Sequence, residues 1–149
     1  MILTALLIGL ITSCLSNFGS GPNIKYTCRQ STDQIVSIDI LRKEYDSLDI
    51  EMPMYILKSF EPEEFDMVLD GLSKVPVCRP LNPPRSGIGL YIVRITYQNG
   101  EAELLGNYNT GYVSVDGEVD QDRLCFDTIP YYALISELLE KEITDYTYG

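Results

Sequence analysis

Apolar and polar positions alternate over residues 34–41, with Val36, Ile38 and Ile40 on one side and Ser37 and Asp39 on the other. That period of two predicts a half-buried strand. Residues 42–46 read as a polar turn and residues 48–58 as a second extended stretch. Pro53 lies inside this stretch. It predicts an edge strand or a strand broken in two, because proline donates no ladder hydrogen bond. The pattern turns helical over residues 59–74, where Phe65, Val68, Leu69 and Leu72 form one stripe. Pro62 suits the first turn, Glu61, Glu63 and Glu64 complement the positive helix start, Lys74 complements its end, and Pro76 stops it.

Residues 80–89 hold three prolines and two glycines and make the longest expected loop, a place where binding residues often lie. Residues 90–98 alternate clearly. Tyr91, Val93, Ile95 and Tyr97 share one face, and Ile92, Arg94, Thr96 and Gln98 the other. Asn99-Gly100 predicts a type I′ hairpin turn into a returning strand over 101–108, on which Ala102, Leu104, Gly106 and Tyr108 share a face. Asn109-Thr110-Gly111 turns the chain into 112–115, and Asp116-Gly117 into a strand near 123–126. Asp127 and Thr128 cap a final helix over 129–142, with Pro130 in its first turn. Its apolar face is expected to include Ile129, Tyr132, Ile135, Leu139 and Ile143, with Glu137 and Lys141 as an i, i+4 pair. The order ββαββββα predicts an α+β fold: an antiparallel meander with two helices packed on one face.

The length of 149 residues fits one domain with a core of its own, expected over 24–144, with a short tail at 145–149. The formal charge of −11 argues against nucleic acid, whose recognition begins with phosphate neutralisation. It equally disfavours an anionic membrane surface. A cationic protein partner would suit it, and so would simple solubility. The absence of histidine removes the commonest general base, the usual partner of a nucleophilic Ser or Cys, and the commonest metal ligand. The chain is therefore expected to be no enzyme and to carry no cofactor. Asp116, Glu118, Asp120 and Asp122 alternate like the oxygen ligands of a calcium loop. Gln121, however, stands where an EF-hand needs glycine. The reading is a solvated acidic hairpin, with those four carboxylates as a weak Ca²⁺ candidate. The 11 tyrosines suit strands and also binding surfaces.

Residues 1–11 are apolar apart from Thr4 and Gly9, too short a run to span a membrane as a helix. They match the apolar segment of a signal peptide. The first basic residue is Lys25, so the positive segment that normally precedes such a run is missing, and a true start upstream of Met1 would restore it. Ile11-Thr12-Ser13-Cys14 resembles the lipobox of bacterial prolipoproteins. The resemblance implies a signal peptide over 1–13, cleavage before Cys14, a lipid on Cys14 and a flexible tether over 14–23. It places the domain in the cell envelope, on the outer face of a bacterial membrane. Secretion after a later cleavage, and an uncleaved anchor or ordinary core segment, are the other readings of the same run. Setting Cys14 aside leaves Cys28, Cys78 and Cys125, which allow one disulfide between two of the three or simple burial as thiols.

The segments 63–72 and 95–106 and the closing helix resemble small, uncharacterised exported α+β domains of bacteria. Ile95, Tyr97, Asn99, Gly100, Glu103 and Leu104 carry that likeness. It implies export and no activity. The expected function is therefore a lipid-anchored, non-enzymatic envelope domain with a binding role. The alternative is an acidic inhibitor of a cationic secreted enzyme such as lysozyme. Tyr26-Thr27-Cys28, and Ser86-Gly87 with Tyr91, are similar to features of lipobox-bearing lysozyme inhibitors.

Overall fold

The computed structural model describes residues 24–44, 53–78, 89–107, 110–122 and 124–145. The lipobox with Cys14, the tether, Ser86, Gly87, Tyr108, Arg123 and the last four tail residues lie outside them.

Strands β1 (Ile35–Lys43), β2 (Met54–Ser59), β4 (Tyr91–Tyr97), β5 (Ala102–Leu105), β6 (Thr110–Val113) and β7 (Val119–Asp122) form one antiparallel sheet in the order β2-β1-β4-β5-β6-β7. Helices α1 (Phe65–Lys74) and α2 (Thr128–Leu139) cover one face of it. Ile38 and Ile40 of β1, Val93 and Ile95 of β4 and Leu105 of β5 meet Val68 and Leu72 of α1 and Tyr131, Ile135 and Leu138 of α2 in one core. The expected α+β meander with two helices on one face is thus the fold. On the opposite face Leu41, Ile92 and Leu104 form a smaller apolar cluster with Met54 and Val113.

Several boundaries differ from expectation for local reasons. A register shift between Ile35 and Ser37 against β4 turns Ile35 inward and leaves Val36 51% exposed. Pro53 precedes β2, which is an edge strand, and a second shift in its pairing with β1 leaves Leu57 without a register partner. Tyr55, Ile56 and Leu57 are all exposed there. The expected helix start at Ser59 is too early. Ser59 ends β2, Phe60 is buried beside it, and a 3₁₀ turn (Pro62–Glu64) with a capping box between Glu61 and Glu64 leads into α1.

The Asn99-Gly100 turn is not type I′. Only Gly100 has positive φ, and Tyr97 N–H donates to the Glu101 carbonyl, which makes a three-residue loop with glycine in the left-handed position. The loop at Gly117 repeats this geometry, with Ser114 N–H bonded to the Glu118 carbonyl. Thr110 and Gly111, expected in a turn, belong to β6 because Leu104 and Leu105 pair with them.

The strand expected near 123–126 is split. Val119–Asp122 closes the main sheet, while β8 (Cys125–Phe126) pairs with an unexpected short strand, β3 (Val77–Cys78), in a separate two-stranded sheet. Helix α2 stops at Leu139, where Glu140 takes a left-handed conformation, so Lys141 lies beyond the helical i, i+4 spacing to Glu137. Ile129 is 62% exposed rather than core, since it lies about 200° around the helix from Tyr131. Among the described residues no helix is long and apolar enough to cross a membrane.

Candidate functional site

β5 is buried on both faces, and this puts a carboxylate inside the molecule. Glu103 is 3% exposed and lies on the helix-covered side, next to Leu105 in the alternation. A charged group there requires partners, because burying it alone would cost far more than the domain can offset. Three donors meet it. The Tyr26 hydroxyl donates to Oε2 at 2.8 Å, the Tyr97 hydroxyl donates to Oε1, and the Arg29 backbone N–H donates to Oε1 at 2.6 Å. Burial, and then the Glu103 carboxylate, push the Tyr26 phenol far above its ordinary pKa. Burial and the hydrogen bond to Glu103 do the same to Tyr97. Both phenols therefore stay protonated and act as donors. The Cys28 thiol lies 3.7 Å from the Tyr26 hydroxyl, and burial is the largest cause of its raised pKa.

A more exposed layer extends this contact. Gln30 Nε2 donates to Glu101 Oε2 at 2.7 Å and to the Tyr112 hydroxyl at 3.1 Å, and Tyr112 in turn donates to Glu101. The Arg29 guanidinium stacks 4.5 Å from the centre of the Tyr112 ring. Residues 26–30 are thereby fastened across the end of the β4–β5–β6 meander. Ile24, just before them, bridges to Val77 of β3.

Two other polar clusters are also internal ties. Asp39, buried on the opposite face, accepts from Ser59 Oγ at 2.6 Å and from Arg94 Nη2 at 2.8 Å. Burial raises its pKa, but the Ser59 and Arg94 hydrogen bonds outweigh burial and hold it below the usual carboxylate range. Asp145, expected in the tail, is held to the fold. Arg42 Nη2 reaches Asp145 Oδ2 at 2.7 Å, and the Tyr91 hydroxyl donates to Oδ1 at 2.6 Å. Lys43, buried at the end of β1, is likewise partnered. Among the described residues no buried side-chain nitrogen or oxygen lacks a hydrogen-bond partner.

A groove of about 670 Å³ lies between the two helices. Met67 and Gly71 of α1 and Ala133, Leu134 and Leu138 of α2 give it an apolar floor. The missing side chain of Gly71 admits Leu134, since a Cβ there would lie 2.7 Å from Leu134 Cδ1. Glu64, Asp70, Glu137 and Glu140 stand around it with Lys58 and Lys74. Both lysines are already engaged. Lys74 Nζ bonds Asp70 at 2.6 Å, and Lys58 Nζ caps the Leu138 carbonyl at 2.7 Å. The rim is left with a negative excess above an apolar floor.

The residues singled out in the sequence are scattered over this frame. Asp116, Glu118 and Asp120 are exposed around the β6–β7 hairpin, and Asp122 is the last residue of β7. Among the described residues no three acidic or cysteine side chains converge as a metal-ligand set. Tyr91, Tyr97, Tyr131 and Tyr132 are core residues. Tyr91 lies within β4 rather than on an exposed loop, and most of loop 80–89 is outside the described residues. Cys28 is half-buried and Cys125 buried, and the β3–β8 register sets Cys78 opposite Cys125.

Glu103 was missed as a buried residue, although a signal for it existed. Tyr91, Val93, Ile95 and Tyr97 mark the core face of β4, and a tight hairpin at Gly100 pairs Ile95 with Glu103, so both point the same way. The helix groove had no such signal, because it depends on how two distant segments pack. Comparison of the chain with protein-family models, with curated proteins and with solved structures found no match.

Proposed function

We propose that this chain is an exported, lipid-anchored, non-enzymatic domain that binds a cationic protein segment in the groove between α1 and α2. The observation behind this reading is that groove, with its apolar floor under an acidic rim whose two lysines are already bonded. Long-range attraction of a basic partner to a chain of charge −11 would speed its encounter, and apolar contact on the floor would hold it. The absence of histidine and the inward use of the buried carboxylates support a role without catalysis. The lipid anchor rests on residues 1–14, with Cys14 as the lipidated thiol.

Calorimetric titration of the full chain with an amphipathic Lys/Leu helical peptide tests the groove. Reversing Glu137 and Glu140 together (Glu137→Lys, Glu140→Lys) is expected to weaken binding at least about tenfold, roughly 1.4 kcal/mol. Unchanged affinity in that variant removes the groove from the reading. Intact mass of the membrane fraction tests the anchor, since a lipid adds its mass at Cys14. Inhibition of a cationic enzyme such as lysozyme is the narrower form of the same reading, favoured by the same charge excess. Lysozyme turnover measured with excess domain separates binding from inhibition.

A further inference from the structure

We propose that Asn99 is a site of self-modification, at which attack by the Gly100 main-chain nitrogen converts the asparagine to aspartate and isoaspartate, with water as co-reactant. Of the six asparagines in the chain only Asn99 precedes a glycine. A following residue without a side chain leaves its backbone nitrogen open to approach. Asn99 and Gly100 are both exposed at the tip of the β4–β5 hairpin, and nothing lies within 4 Å of the place a Gly100 Cβ would take. A succinimide ring therefore has room to form there.

The side chain is already folded over the atom that attacks it. Glu101 N–H donates to Asn99 Oδ1 at 3.1 Å, which closes an Asx-type turn across the Gly100 peptide. The ring closed by that bond contains Asn99 Cγ and the Gly100 nitrogen, the two atoms to be joined. As the nitrogen adds to Cγ, negative charge collects on Oδ1. Glu101 N–H and Gln30 Nε2, the latter at 3.3 Å, both donate to that oxygen and stabilise the charge as it develops. One bond holds the reaction back. Gly100 N–H is given to the Tyr97 carbonyl at 2.9 Å and must leave it before attack. Opening an exposed hairpin tip is among the least costly local motions of a fold.

The Gly100 nitrogen loses its proton and bonds to Cγ, the Cγ–Nδ2 bond breaks, and Nδ2 takes up a proton and leaves as ammonia. Water then opens the succinimide. Its attack at Cγ gives aspartate, and its attack at the residue 99 main-chain carbonyl gives isoaspartate. Nothing is oxidised or reduced. The product acts on the segment 26–30. Asn99 Nδ2 donates to Glu101 Oε2 at 2.9 Å, and a carboxylate in its place sets two negative charges against each other. Glu101 is also the group that holds Gln30 and Tyr112. Isoaspartate further adds one carbon to the main chain between Tyr97 and Glu101, whose hydrogen bond closes the loop. Both products loosen the outer layer of contacts to residues 26–30 and leave the Glu103 contacts in place. The site lies apart from the helix groove and is independent of the groove reading above.

The test incubates the folded full chain in mildly alkaline buffer and follows it by intact mass and peptide mapping. The mass is expected to rise by about 1 Da, the difference between OH and NH₂, with the gain at Asn99. An isoaspartate-specific methyltransferase is expected to label the same peptide, and Asn99→Gln is expected to lose the gain. Retention of Asn99 in the folded chain while it converts in urea overturns the proposal, and so does faster conversion of Asn107 or Asn109. The map needs no variant, so it decides the site even where a variant fails to fold. The loosening is read separately. Asn99→Asp is expected to lower the melting temperature by about 2–4 °C, and to leave it unchanged in a Glu101→Gln background. No drop in the parent background, or an equal drop in both, overturns the loosening.

Discussion

Replacing Glu103 with leucine removes the acceptor that three donors share. The Tyr26 and Tyr97 hydroxyls then lose their carboxylate acceptor, with only the weakly accepting Cys28 sulfur left 3.7 Å from Tyr26, and the Arg29 N–H loses a charge-assisted bond. A buried donor left unsatisfied costs about 1–3 kcal/mol, so the two phenols alone set a loss of about 2–6 kcal/mol. The triple variant Glu103→Leu, Tyr26→Phe, Tyr97→Phe carries no orphaned hydroxyl. It is expected to regain most of the loss, because an apolar replacement of a whole polar cluster is often neutral. Tyr97→Phe alone removes one hydrogen bond to a charged acceptor and is expected to cost about 1.5–3 kcal/mol. The assay is urea unfolding at neutral pH followed by far-UV circular dichroism, since the chain has no tryptophan to report by fluorescence. Unchanged slopes would show that the midpoints report stability. A Glu103→Leu loss below about 1 kcal/mol refutes the reasoning. So does a triple variant as unstable as the sum of the single changes.

Asp39→Asn is expected to cost most above about pH 4, the range in which an unfolded Asp is charged. Because the folded pKa of Asp39 is depressed, its contribution fades as pH falls through that lower value, and the parent and variant stability curves should converge in acid. A gap that stays constant from neutral pH into acid contradicts this. Gly89→Ala combines a left-handed φ of 107° with a Cβ placed against Asn107 Oδ1, whereas Gly100→Ala has the φ of 85° and open space. Thermal melts should therefore show Gly89→Ala as the more damaging, and equal losses would exclude the Asn107 clash. Ile135→Ala empties a fully buried site in α2 and should lower stability by about 2–5 kcal/mol in denaturant titration. Tyr131→Phe deletes the hydroxyl that donates to the Leu105 carbonyl at 2.7 Å, and a loss of about 1 kcal/mol is expected by the same measurement.

The parts of the fold that depend on local pattern were legible in the sequence. The alternation in β4, the stripe in α1 and the glycine turns are short-range signals, and they placed the meander and both helices. Val36 and Ile129 were misplaced because a register shift and a helix phase each rotate an apolar residue outward without changing its local pattern. β3 was invisible for another reason. Two residues have no periodicity, and the strand exists only because Cys125 and Phe126 arrive beside it from far along the chain. The acidic residues near α1 read as helix-end chemistry, which holds for Glu61 and Glu64 in the capping box. The second setting of Glu64, on the rim of a groove with Asp70, Glu137 and Glu140, required the tertiary packing.

The contact of residues 26–30 with Glu103 also dictates an order of assembly. Tyr26 and Arg29 precede their shared acceptor by 77 and 74 residues. In a chain synthesised from its N-terminus, this segment is complete about 4–15 s before the strand that receives it, at ordinary elongation rates. Throughout that interval its phenol and backbone donors are without the Glu103 carboxylate that receives them in the fold. The segment therefore docks as a late step, after the β4–β5 hairpin has closed, and its long loop closure belongs to the slow part of folding. A factor that holds the nascent chain extended would find here a region still waiting for its native acceptor.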